Sequence, residues 1–216
     1  MDRLRLRRAV ILIAAALIVL IAALLVVQLV GDSSSDDANV EITMESGSIQ
    51  GLATGRGVGP DEVIEAITPE LGEADLDTGW VDVNTDVRPC PELTEYRELW
   101  WGDLSFGFWG TGDATYLHFW NVGDRRAVLF SVPDLDQGAP GPPLDLMTDQ
   151  GIHIGDDVTT IPPPFAARAS AAGDERFESG AQVVVVSADP ATVENSGHYL
   201  GVDGTVVSFG AESFAC

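Results

Sequence analysis

Residues 9–30, AVILIAAALIVLIAALLVVQLV, form an apolar run broken by one polar residue, Gln28. No other feature restricts the chain so strongly. A helix with no polar side is not a surface helix of a water-soluble domain. At about 1.5 Å per residue the run is about 33 Å long, matching the hydrocarbon core of a bilayer. The preceding MDRLRLRR holds four arginines against one aspartate, which predicts a cytoplasmic N-terminus. A cleaved signal peptide has a shorter apolar region and a small-x-small cleavage site, and LLVVQLVGDSSS offers none. The expectation is a basic stub over 1–8, a transmembrane anchor over 9–30 and a hydrated Ser/Asp-rich spacer over 31–46. The lipid bilayer then surrounds residues 9–30, and the address is the cell membrane, single-pass, with the C-terminal domain extracellular.

Charge narrows the partners of that domain. Beyond the stub stand 33 acids and seven arginines, a net of -26, with no lysine anywhere in the chain. Backbone binding to nucleic acid needs cationic groups, so nucleic acid is excluded as a partner. Acidic surface aids solubility, and it also leaves room for a cationic ligand or the positive face of another protein. The two cysteines, Cys90 and Cys216, stand outside the membrane in this topology. Such a compartment permits a disulfide between them. No C-x-x-C motif suggests redox chemistry, and two distant cysteines do not suggest structural zinc.

Local signals outline an α+β fold. GSIQGLATGRGVG at 47–59 lacks the lysine of a phosphate loop and reads as a turn-rich approach to a helix. Pro60 suits the first helical position, Asp61 and Glu62 its positive end, and Val63, Ile64, Ile67 and Leu71 an apolar stripe. Asp61, Glu62 and Glu65 are then a solvated face, Thr68-Pro69 an interruption and Gly72 a stop. From Leu99 the period becomes two. Leu99 and Trp101, a turn at Gly102-Asp103, and Leu104, Phe106 and Phe108 alternating with Ser105, Gly107 and Trp109 predict a hairpin with one greasy face. Tyr116–Trp120 and Ala127–Val132 extend it into an antiparallel meander. PDLDQGAPGPPLDLMTDQ at 133–150 reads as a linker, and Asp134, Asp136 and Asp145 do not fit a calcium loop.

The second half echoes the first. Gly155-Asp156-Asp157-Val158 parallels Pro60-Asp61-Glu62-Val63, although Pro162-Pro163-Pro164 keeps any second helix short. Tyr199–Val202, a turn at Asp203-Gly204 and Thr205–Phe209 carry the strongest hairpin signal. The expected architecture is therefore an anchor followed by two helix-plus-antiparallel-sheet repeats, over 47–132 and 151–216.

Several stretches carry a resemblance: G-x-G-x-x-x-x-E-V-I-x-A-I-T-P-x-L-G from Gly55 to Gly72, Cys90-Pro91, W-G-D-L-x-F from Trp101 to Phe106, G-D-D-V from Gly155 to Val158, and the late D-G-T-V before a terminal cysteine. In these the chain resembles uncharacterised extracytoplasmic proteins of actinobacteria-like organisms. Its helix-then-sheet modules are similar to beta-lactamase-inhibitor-like tandem repeats and to small outer-membrane-assembly proteins. The shared positions are structural glycines and aromatics, so the resemblance implies a fold and no active site.

No catalytic constellation stands out. His118, His153 and His198 show no metal-ligand spacing, and there is no G-x-S-x-G or S-x-x-K. No catalytic residue, metal ligand or cofactor is assigned. The aromatic group Trp100, Trp109, Tyr116 and Trp120 is the binding candidate, since aromatic anchors within an acidic rim suit a protein or glycan partner. The functional expectation is a membrane-anchored, non-enzymatic interaction or ligand-binding module. A structural or envelope-maintenance protein is the alternative, and an unrecognised hydrolase stands third.

Overall fold

The computed structural model describes residues 40–83, 93–111, 114–124, 141–169, 181–187 and 197–213. A ribbon of three two-residue strands, β1 (Ile42–Thr43), β2 (Ser48–Ile49) and β3 (Leu52–Ala53), comes first. Next are β4 (Gly55–Arg56), helix α1 (Pro60–Leu71), β5 (Leu76–Asp77) and β6 (Val81–Asp82). Three long strands follow: β7 (Glu95–Trp101), β8 (Leu104–Gly110) and β9 (Thr115–Gly123). The later residues supply β10 (Ala166–Ala169), β11 (Val183–Ser187), β12 (Gly197–Val202) and β13 (Thr205–Glu212). The main sheet runs β10-β11-β12-β13-β9-β8-β7-β5, with β4 also on β9 and β6 also on β7; the pairings along it are antiparallel.

Helix α1 starts and stops where its residues require. The Glu62 carboxylate accepts from the Gly59 N–H at 3.0 Å, and Pro60 needs no partner for a missing N–H. Val63 and Ile67 are buried while Asp61, Glu62 and Glu65 are exposed, as the stripe predicts. Pro69 does not end the helix. It stands in the last turn, where it deprives only the carbonyl of exposed Glu65 of a donor. Gly72, at φ 81°, ends it, donating to the Thr68 carbonyl at 2.9 Å.

Both expected hairpins are present. Asp203 and Gly204 take φ 51° and 85° between β12 and β13, a pair of positive values that matches the twist of adjoining strands. Gly102, at φ 55°, turns β7 into β8. A Cβ there would lie 2.4 Å from the Pro142 carbonyl oxygen, so residues 141–144 pass directly over this turn. Leu144 N–H donates to the Asp103 carboxylate at 2.8 Å, and burial pushes that carboxyl above its usual range. The expected strand over Ala127–Val132 and the acids Asp134 and Asp136 lie outside the described residues.

The two-repeat architecture is not what the chain builds. Residues 155–158 do not open a second helix. The Asp157 carboxylate caps the Thr159 N–H at 2.8 Å, and a single 3-10 turn, Val158–Thr160, stops at the prolines. Strand β13 pairs with β9 from Ser208↔Gly123 to Glu212↔Phe119, so strands of both halves share one sheet. The fold is an α+β domain dominated by a large antiparallel sheet with one short helix among the described residues.

The membrane-anchored reading is corrected as well. No helix among the described residues is long and apolar enough to cross a membrane. Helix α1 has 12 residues, about 18 Å at 1.5 Å per residue, and one exposed acidic side. The stub at 1–8 and the span at 9–30 lie outside the described residues. The single-pass topology, the lipid-bilayer partner and the cell-membrane, extracellular address therefore drop out of the functional account. The disulfide drops out too. No disulfide occurs among the described residues, and Cys90 and Cys216 lie outside them. The cohesion seen here comes from a sheet buried on both faces.

Residues opposite one another across a ladder point to the same side. One face carries Leu99, Trp101, Leu104, Phe106, Trp120, Val122, Tyr199 and Phe209, all buried. It is covered by α1, the β1–β3 ribbon and residues 141–152. Trp101 Nε1 donates to the Gly72 carbonyl at 2.9 Å, Trp120 Nε1 to the Gly47 carbonyl at 2.8 Å, and Tyr199 OH to Thr148 Oγ1 at 3.1 Å. The other face carries Tyr96, Glu98, Trp100, Ser105, Asn121, Ser208, Glu212, His198 and Ser187, and these are buried too.

Candidate functional site

The aromatic residues expected to form a binding surface do not meet solvent. Trp100, Trp109, Tyr116 and Trp120 are between 0 and 3% exposed. Trp100, Trp109 and Tyr116 share the polar face, and Trp120 lies on the apolar face. Two of them on the polar face are tied by hydrogen bonds inside the fold. Trp100 Nε1 donates to Glu98 Oε2 at 3.1 Å, and Tyr116 OH donates to the Ser213 carbonyl at 2.5 Å. The rings of Tyr96 and Trp109 meet at 5.0 Å between centroids, tilted by 59°.

The polar face also gathers buried ionisable groups, Glu98, His118 and His198. Glu98 accepts from Tyr96 OH as well as from Trp100. The strand register slips by one between Gly107 and Phe108, which leaves His118 as the extra residue of β9. Its Nδ1 lies 2.9 Å from the Ser213 carbonyl oxygen. A carbonyl only accepts, so Nδ1 carries the proton. His198 stands opposite Ser187 and Gly210; burial depresses its pKa to about 4, so it is neutral at physiological pH. His153 is different: it lies at the surface, 3.1 Å from Asp145.

A cleft of about 360 Å³ opens in the cover of the apolar face, lined by Val40, Glu41, Ile42, Gln50, Glu70, Met147, Thr148 and Asp149. Three separate stretches are tied together to make it. Asp149 N–H donates to the Ile42 carbonyl at 2.8 Å, and Met44 N–H donates to Asp149 Oδ1 at 3.1 Å. Gln50 N–H donates to the Glu41 carbonyl at 2.7 Å. Glu70 comes from the last turn of α1.

The cleft is chemically two-sided. Val40 and Ile42 are buried and give it an apolar floor, and Met147, 52% exposed, adds a flexible thioether. Glu41, Glu70 and Asp149 are exposed carboxylates. Among the described residues no three His, Cys, Asp or Glu side chains group closely enough to hold a metal ion. The cleft therefore presents negative charge spread along an apolar trough. Nothing local in the sequence marks it, because Glu41, Glu70 and Asp149 are far apart along the chain.

Comparison with protein-family models, with curated proteins and with solved structures finds no match.

Proposed function

We propose that this domain binds a partner protein by taking one of its basic side chains into the cleft beside β1. The observation that carries the reading is the pairing of an apolar floor with three exposed carboxylates in one cleft. A lysine or arginine has the same two-part character, an aliphatic stem and a charged head. Its stem would lie against Val40, Ile42 and Met147, with its head among Glu41, Glu70 and Asp149. The surplus of acids in the chain favours the approach of a basic surface and raises its encounter rate. Each exposed ion pair contributes only about 0.2–1 kcal/mol, so binding depends on several contacts at once.

The test is titration of a short arginine-containing peptide followed by backbone amide shifts. Shifts centred on residues 40–50 and 147–149, at least about fivefold weaker binding in E41Q/E70Q, and an unchanged fold of that variant support the reading. Equal affinity in both proteins, or shifts centred elsewhere, contradicts it. Asp149 is left intact because its carboxylate also holds the Met44 N–H.

A further inference from the structure

Among the described residues, three polar atoms around Gly210 have no hydrogen-bond partner: His198 Nδ1, Asn121 Nδ2 and Ser208 Oγ. They lie on three adjacent strands. His198 on β12 and Asn121 on β9 flank Gly210 on β13, and Ser208 is one step along β13 on the same face. All three side chains are at least 95% buried. A buried polar atom without a partner costs about 1–3 kcal/mol, so this junction is held by the packing around it and against its own polar groups.

Charging His198 would raise that cost sharply. A buried imidazolium needs a carboxylate or several acceptors. Facing it from β11 are Ser187 and Val185, and from its own strand Leu200. From β13 come Ser208, Gly210 and, diagonally, Glu212; beyond these stands Asn121 of β9. Glu212 is the one charged residue in this set. Outward of β12 the sheet has, among the described residues, β11 and β10, so the shortest route to hydrating His198 is to peel β12 from β13.

We propose that the His198–Asn121–Ser208 cluster is an acid-sensitive latch: neutral His198 keeps β12 on β13, and its protonation releases β10, β11 and β12 while β7, β8 and β9 stay paired. The sheet then ends at β10 near neutral pH and at β13 in acid, which exposes β13 as a new edge strand.

Hydrogen exchange of the full-length chain at pH 7 and pH 5, corrected for intrinsic rates, tests this. With His198 at about 4 folded and an ordinary 6.5 when released, protection in residues 183–187 and 197–202 should fall by about 20-fold at pH 5. Protection in 95–110 should hold. H198F, and H198Q should that variant fail to fold, should keep the same protection at both pH values. Uniform loss across the sheet, no loss at 183–187, or an unchanged acid response in both variants would overturn the proposal.

Discussion

The two faces of the central sheet are equally hidden from solvent and are built on opposite terms. On the apolar face, Trp101 and Trp120 each send their indole N–H to a carbonyl of the covering layer, so burial and hydrogen bonding act together. On the polar face, Trp109 Nε1, Asn121 Nδ2, His198 Nδ1 and Ser208 Oγ are buried with no partner. The apolar face pairs the indole donors it buries, while the polar face mixes paired groups with others whose burial is a cost. The difference teaches that a closed sheet face need not be an optimised one, and it places stability and response on separate sides of the same strands.

The contrast can be tested from its largest expected effect downward. Trp120→Ala removes a fully buried indole and leaves the Gly47 carbonyl without its donor; it should destabilise by about 3–5 kcal/mol in denaturant unfolding. Acid acts on the other face. The folded pKa of His198 lies at about 4, below its ordinary 6.5, so the unfolded chain takes up the proton first. This contribution is complete above pH 6.5 and is lost as pH falls toward 4, a total of about 3 kcal/mol. Its absence from a pH series of unfolding curves would erase the contrast. Glu98→Gln keeps one acceptor but turns an amide N–H toward a donor from Tyr96 or Trp100; a cost of about 1–3 kcal/mol is expected. Ser208→Ala should be smallest. It removes an unpartnered hydroxyl, so the change should stay within about 0.5 kcal/mol or favour the folded state.

These pairs also explain what could be seen in the sequence. Pro60 with Gly72, Gly102-Asp103 and Asp203-Gly204 are local signals whose backbone requirements are met within a few residues, and each marks a real boundary. The second helix failed because Asp157 and the three prolines favour a capped turn over continued winding. The alternation at 104–109 gave the correct strand and left the cover of its second face open. Period two reports which residues share a face, and it does not distinguish polar residues facing water from polar residues under cover. Ser105, Asn121, Ser208 and His198 carry no local mark of their burial. The tryptophans were prominent by type, but their burial is decided by strands paired across the two halves, β9 on β13 above all. The cleft was illegible because Glu41, Glu70 and Asp149 meet only after the β1–β3 ribbon docks beside residues 147–149.

Recognition of a basic side chain by the cover of the apolar face is the central functional claim, and its salt dependence tests it most directly. An arginine-containing peptide and a matched peptide with citrulline in place of arginine would be titrated at low and at physiological ionic strength. The account predicts that the arginine peptide binds at low salt and weakens by about tenfold or more as the exposed carboxylates are screened, while the citrulline peptide binds weakly at both. Equal binding of the two peptides, or an affinity indifferent to salt, would contradict it.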